Sequence, residues 1–336
     1  MLATATLLTM ALAGNVQAAE IRSVGPDGEA AVDASTIELT DDQIAQIKEG
    51  GYTAAICLHY GGNDWSTSQQ KGLEDTFGEL GIEIVAVTDA NFSAETQVSN
   101  IETVMAKKPD ILVSIPTDAT ATADAYKQAA AAGIKIVFMD QRADGLEAGK
   151  DYVSVVSADN YGNGYASGTV LGDALGGKGK VAMVYYDANF APTNQRDEGF
   201  RDAMKNYPDI EIVTEQGFTD ESGCAEQGDA ILTQFPNIDG IYASWDVPME
   251  GVLSAVRAAG MEGKVTLACN DLGNNVAREI ASGNIAGGGA QMPYDQGVAE
   301  AKLAALALLG EETPSYVAVP AETVTHENVL EAYTDV

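Results

Sequence analysis

The sequence predicts an α/β protein built on parallel sheets, and three observations carry that expectation. Short apolar runs recur along the chain, at Thr53 to Leu58, Ile82 to Val87, Ile111 to Ile115, Ile134 to Met139, Lys180 to Tyr185 and Val265 to Ala268. Each leads into a stretch with helical spacing of apolar residues, the pattern of a sheet whose crossovers are helices. Each also ends in polar or aromatic residues, and open parallel sheets bind ligands in the crevice at the carboxyl ends of their strands. Function is therefore sought at the strand-to-helix junctions.

From the amino end, residues 1 to 19 (MLATATLLTMALAGNVQAA) carry no charge and close on small residues, with Val16, Gln17 and Ala18 forming an acceptable cleavage site. They resemble a secretory signal without its basic start, which predicts a signal peptide over 1–18 and an exported chain beginning near Ala19. Gly14 and Asn15 interrupt the run, which is too short to cross a bilayer core of about 30 Å. Residues 20 to 36 are small and polar and read as a mobile lead-in. Thr40, Asp41, Asp42 and Gln43 then form a capping-box pattern opening a short helix to Lys48, stopped at Gly50-Gly51. The folded core is expected from Tyr52. Helices follow near 66–80, 94–107, 119–132, 160–175, 194–206, 222–234, 247–259, 273–282 and 294–309. Gly81 and Gly133 sit where helices must stop, and Pro109 and Pro208 lie just beyond helix ends.

The chain has 336 residues, 46% of them hydrophobic. Single cores stop growing near about 250–300 residues, so two lobes with a cleft are expected. Asp and Glu number 50 against 18 Lys and Arg, a formal charge of −32. Such a field repels phosphates and anionic headgroups, and no nucleic acid partner is expected. A solvated acidic surface is the plain reading of that charge, and a field that attracts a cation is the alternative.

Cys57 and Cys269 lie inside predicted strands and read as buried small hydrophobes, with a Cys224–Cys269 bridge left open. His59 and His326 are far apart and lack neighbours at zinc-ligand spacing, so no metal site is expected. The sequence has no nucleophile elbow, phosphate loop or HExxH, and the glycine runs at 162–164 and 287–289 lack a phosphate-binding pattern. No cofactor is expected. Nothing singles out a reacting pair of carboxylates, although carboxylates alone can perform acid–base work.

The strand ends carry more. His59 to Ser66 supplies glycines, an amide at Asn63, a carboxylate at Asp64 and an indole at Trp65. Sugars need that mixture, because an apolar C–H face packs on an aromatic ring while rim hydroxyls require fixed donors and acceptors. Helix capping by Asn63-Asp64 and core packing of Trp65 account for the same residues equally well. Later junctions repeat the composition: Asp140, Gln141 and Arg142; Asn189-Phe190 through Asn194 and Arg196; Ser244-Trp245-Asp246; Asn270-Asp271; and Gln291. Together they describe a polar, aromatic-walled cleft.

In order and spacing, several segments resemble the ribose/galactose type of periplasmic substrate-binding proteins that serve ABC transporters. They are Ile115-Pro116-Thr117-Asp118, Met139-Asp140, Ser157-Ala158-Asp159-Asn160, Arg196-Asp197-Glu198-Gly199-Phe200, Ser244-Trp245-Asp246 and Gln291-Met292-Pro293-Tyr294-Asp295-Gln296-Gly297. The resemblance covers roughly residues 52 to 320. It implies a type I periplasmic binding fold of two Rossmann-like lobes, 51–157 with 292–318 and 158–291 with 319–336, joined by crossings near 157–159, 290–292 and 317–320. It further implies hinge closure on a ligand, a periplasmic location, delivery to an ABC transporter permease, a monomer, and no enzymatic activity.

Carried over by position, Asn63, Trp65, Asp140 and Gln291 match sugar contacts of that family. Asp64 stands where ribose binders have proline, Ile115 where they have an asparagine ligand, Gln141 and Asn194 where they have arginines, and Trp245 where an asparagine is expected. The resemblance therefore implies a small sugar or polyol other than ribose held in the usual way. An amino sugar or other cationic ligand stays open, because Asp64, Asp140, Asp246 and Asp271 could converge. Presentation of ligand to a chemoreceptor and an exported carbohydrate-active enzyme are the further alternatives. A repressor built on the same lobes would need a basic helix-turn-helix, and residues 20 to 50 are acidic and too short for one.

Overall fold

The structure, a computed structural model, describes residues 20–335, so the signal-like segment expected over 1–18 lies outside the described residues. Strands β1 (Val32–Asp33), β2 (Thr53–Leu58), β3 (Glu83–Asp89), β4 (Ile111–Ser114), β5 (Lys135–Met139) and β6 (Ser154–Ala158) enter one sheet. Strands β7 (Lys178–Tyr186), β8 (Asp209–Phe218), β9 (Gly240–Ala243), β10 (Thr266–Cys269) and β11 (Gly287–Ala290) build a second. The chain then returns to the first sheet with β12 (Tyr316–Val319) and finishes the second with β13 (Glu322–Thr325).

The sheets run β1-β12-β6-β5-β4-β2-β3 and β13-β11-β10-β9-β7-β8. From β12 and β13 outward the two orders are equivalent, so each lobe has its topological switch point between its first two long strands and the strand that follows. Pairing is parallel except between β11 and β13. Both faces of each sheet are covered, as parallel sheets require: Phe77, Leu73 and Ile56 pack on one face of the first sheet and Tyr126, Phe138 and Ile101 on the other. In the second, Trp245, Met249 and Val252 lie on one face and Phe200, Tyr242 and Leu171 on the other.

The lead-in is not a mobile tail. The backbone N–H groups of Arg22 and Ser23 donate to the Asp159 carboxylate at 2.9 and 2.8 Å, and the Ser23 hydroxyl accepts from Tyr161 N–H at 2.9 Å. Asp27 pairs with Arg142 at 2.7 Å, and β1 joins the first sheet beside β12. A polar segment is ordered here because its donors meet a carboxylate at the passage between sheets. Folded structure thus begins well before Tyr52. The capping box forms as expected, with Gln43 N–H donating to Thr40 Oγ1 and Gln43 Oε1 accepting from Thr40 N–H, and its helix runs Asp41–Gly50.

Two other helices depart from expectation at their starts. The one expected from 119 forms only over Ala123–Ala131, because the Asp118 carboxylate accepts from Thr120 and Ala121 N–H and holds them in a turn. The one expected from 194 begins at Ala191, with Pro192 in its first turn where a missing N–H is harmless. The run Gly287-Gly288-Gly289 is strand β11, where a Cβ on Gly288 would lie 1.6 Å from the Cys269 carbonyl oxygen. Close backbone approach explains those glycines. All three cysteines are free and buried.

Candidate functional site

Each wall of the interlobe cavity begins where a strand ends. After β2, Asn63 caps the helix Asp64–Glu79: its Oδ1 accepts from Ser66 N–H at 2.9 Å while its Nδ2 donates to the Tyr60 hydroxyl at 2.6 Å. That turn brings His59, Tyr60 and Trp65 to the cavity. β4 delivers Ile115, and β5 delivers Asp140. In the second lobe β7 delivers Tyr186 and the loop to Phe190, β9 delivers Trp245, β10 delivers Asp271, and β11 delivers Gln291.

Asp140 and Asp271 follow β5 and β10, which hold equivalent places in the two sheets, and both have left-handed backbone, with φ of 53° and 68°. Aspartate tolerates that conformation better than most non-glycine residues. The turn aims each carboxylate into the crevice. A continuous hydrogen-bonded chain joins them through the passage between lobes. Asp140 Oδ1 accepts from Ser157 Oγ at 2.9 Å, Ser157 Oγ accepts from Asn160 Nδ2 at 3.0 Å, and Asn160 Oδ1 accepts from Arg196 Nε at 2.8 Å. Arg196 Nη1 donates to Asp271 Oδ2 at 3.2 Å, Gln291 Nε2 donates to Asp271 Oδ1 at 2.6 Å, and Trp65 Nε1 donates to Gln291 Oε1 at 3.3 Å.

The guanidinium of Arg196 is buried, its side chain 6% exposed beside an Asp271 side chain at 10%. A buried ion pair is tolerable only when its remaining donors and acceptors are satisfied, as Asn160 and the Ser244 carbonyl do here. Burial pushes the Asp140 carboxyl up, opposed by the Arg196 charge and by the donors on Oδ1. Ser157, Ala158 N–H and Gln296 all reach that one oxygen, so Oδ2 is the one available to a ligand.

The opposite wall is aromatic. Tyr60 stacks on Phe92 with centroids 4.1 Å apart, His59 on Phe190 at 5.6 Å, and Tyr186 meets Trp245 edge-on at 5.6 Å. Burial lowers the His59 pKa to about 3, so the imidazole is neutral. The cavity measures about 40 Å³, room for roughly three water-sized groups. A sugar ring with its hydroxyls is larger, so binding one entails lobe movement of the hinge kind.

The lobes touch through several residues expected to hold ligand. Asp64 accepts from Asn274 N–H at 2.7 Å and from Asn274 Nδ2 at 2.9 Å, capping the helix Asn274–Ala281 of the other lobe. Gln141 donates from Nε2 to the Pro116 carbonyl at 2.8 Å and accepts Ala191 N–H at 3.1 Å. Neither faces the cavity. Arg142 turns outward to Asp27 and the Leu146 carbonyl, because the left-handed turn at Asp140 sends the next side chains under and away from the crevice. Asn194 is exposed. Asn270 lies beneath the site, donating to the Tyr242 hydroxyl and the Ser244 carbonyl. Asp246 accepts from Val247 and Gly273 N–H, and burial with the Asp271 charge beside it pushes its carboxyl up to about 8.

The four aspartates therefore do not converge. Asp140 and Asp271 reach the cavity, and Asp271 also lines, with Asp64 and Asp246, an adjoining hollow of about 350 Å³. Phe92, Tyr186 and Thr193 line the cavity without having been singled out in the sequence. Among the described residues no group of His, Cys, Asp and Glu is placed to hold a metal ion, and no helix is long and apolar enough to cross a membrane.

Comparison with known proteins agrees with this architecture. A D-ribose/D-allose-binding protein of Pseudomonas aeruginosa is 29% identical over 273 residues, covering 78% of this chain and 83% of its own length. The ribose import binding protein of Bacillus subtilis is 27% identical over 213 residues, covering 63% and 67%. Among solved structures, an ABC transporter periplasmic solute-binding protein from Actinobacillus succinogenes with bound D-allose has a TM-score of 0.77 at 29% identity, covering 83% of this chain and 99% of that one. A solute-binding protein from Agrobacterium vitis bound with α-D-tagatopyranose has a TM-score of 0.76 at 26% identity, covering 84% and 97%. Residues 54–312 match the family described as periplasmic binding protein domain, so the chain belongs to that family of solute-binding transport proteins.

Proposed function

We propose that this chain is an extracytoplasmic solute-binding protein that captures a small sugar or polyol between its lobes and delivers it to the permease of an ABC transporter. The observation that carries the reading is the hydrogen-bonded chain Asp140, Arg196, Asp271 and Gln291 facing an aromatic wall that includes Trp65, Phe190 and Trp245. Fixed polar groups opposite ring faces suit a ligand with hydroxyls at its rim and C–H groups on its faces. Neutral sugars fit better than cationic ones, because Arg196 already neutralises Asp271.

The protein works as a monomer in the periplasm, with its hinge at the crossings near 157–159, 290–292 and 317–320. The lobes divide as 51–157 with 292–318 and 158–291 with 319–336, and the lead-in is bound across the hinge. A thermal-shift screen over pentoses, hexoses, polyols and amino sugars tests the reading. A cognate ligand at a hundredfold excess over its dissociation constant adds about 2.7 kcal/mol of apparent stability. A screen in which no neutral sugar or polyol raises the melting temperature, or in which only amines do, sinks it.

A further inference from the structure

The cavity is divided by chemistry. Its polar side is the hydrogen-bonded chain that runs from Asp140 to Gln291. Its lining also includes an apolar patch, Ile115 of one lobe with Phe190 and Pro192 of the other, and Ile115 and Phe190 belong to one buried apolar cluster. None of these three side chains carries a hydrogen-bonding atom. Gln141 ties this patch together, because its amide joins the Pro116 carbonyl of one lobe, next to Ile115, to the Ala191 N–H of the other, between Phe190 and Pro192. Both of its polar atoms are occupied in doing so.

Nearby polar atoms are engaged within the protein as well. Thr193 Oγ1 donates to the Phe190 carbonyl at 3.1 Å, and Trp245 Nε1 donates to Glu221 at 2.8 Å. A ligand hydroxyl packed on this patch leaves water and meets carbon, whereas a methyl group there loses nothing and gains contact.

We propose that the cavity selects a deoxy sugar, whose ring hydroxyls meet Asp140, Arg196, Asp271 and Gln291 and whose methyl terminus packs on Ile115, Phe190 and Pro192. The proposal rests on the reading of the chain as a sugar binder and names the class of sugar within it. Apolar pockets reject an added hydroxyl by no more than about a hundredfold. The expected preference is therefore between about tenfold and about a hundredfold.

Titration calorimetry with sugars paired to differ only in the terminal hydroxyl tests this: D-fucose against D-galactose, L-rhamnose against L-mannose, and D-quinovose against D-glucose. In at least one pair the deoxy member binds more tightly by about tenfold or more. In Ile115→Asn, which offers an amide to a terminal hydroxyl, the ratio for that pair falls to one or inverts. Should the hydroxylated member bind as tightly in every pair that binds, or should binding be confined to fully hydroxylated sugars and polyols, the deoxy preference is overturned while sugar binding stands. Absence of any heat or thermal shift across these sugars and the wider screen overturns both.

Discussion

A buried carboxyl beneath the cavity shows how single residues tune the site. Glu300 is fully buried, and its Oε1 accepts from Gln69 Nε2 at 2.6 Å. Its Oε2 and the side-chain oxygens of Gln69 and Gln296 are buried without partners, three acceptors that lack a donor. A protonated Glu300 supplies one O–H to that group. Burial, together with the Asp140 charge, pushes its carboxyl well above the ordinary range, which favours the same state. Gln296 in turn donates to Asp140 Oδ1 at 3.3 Å, so the proton supports the orientation of a cavity residue.

Because the folded pKa is above the unfolded value of about 4.3, the native state binds the extra proton. Its contribution to stability is present below about pH 4.3 and is lost as pH rises through the folded pKa. Glu300→Gln mimics the protonated acid and removes that slope. Urea unfolding from about pH 5 to about pH 9 should show the variant gaining on the wild type with increasing pH. A constant difference between the two across that range would mean that Glu300 is ionised in the native state.

Residue identity at strand ends was legible in the sequence, but side-chain direction was not. Asp140, Asp271, Trp65 and Trp245 follow strands whose pattern is plain, and they line the cavity together with Arg196 and Gln291. Gln141 and Arg142 look equally suitable and turn away, since the left-handed backbone of Asp140 redirects them and no local pattern announces it. Phe92 reaches the cavity from a loop in which Asn91 and Phe92 both have positive φ, a conformation the sequence does not advertise for phenylalanine.

At the scale of elements, helix periodicity marked most helices to within a few residues, whereas strand β11, made of Gly287, Gly288, Gly289 and Ala290, has no strand propensity to read. Its glycines answer to packing across elements: a Cβ on Gly289 would lie 2.3 Å from the Asn163 carbonyl oxygen. The helix Asn274–Ala281 has no side-chain cap from its own flanking residue and receives Asp64 from the opposite lobe instead. That contact joins groups on separate lobes, so it stabilises only the closed arrangement. Asp64→Ala should weaken sugar binding by about threefold to about tenfold, the size of a net hydrogen bond of about 0.5–1.5 kcal/mol. Calorimetry gives the affinity, and unfolding without ligand should change by less than about 0.5 kcal/mol, as for exposed surface changes generally. Equal affinity in the variant would show that Asp64 does not hold the lobes together.

For the whole molecule, the equivalent strand orders of the two lobes place one aspartate from each at the same crevice, and the hinge threads a hydrogen-bonded chain between them. The charge of −32 belongs to the surface as a whole rather than to this chain of residues. Arg196 neutralises Asp271, and Asp64 and Asp246 are bound to backbone N–H groups at one helix start. A ligand therefore meets one guanidinium set between the carboxylates of Asp140 and Asp271 at close range, and the strong negative field of the surface at long range. Salt screens the latter, with a Debye length of about 30 Å at 0.01 M falling to about 8 Å at 0.15 M. Affinity for a neutral sugar should stay within about twofold across that span, because its binding changes no net charge. A cationic ligand drawn by the same field would bind progressively more weakly as salt rises, and a loss of about tenfold would return the amino-sugar alternative to first place.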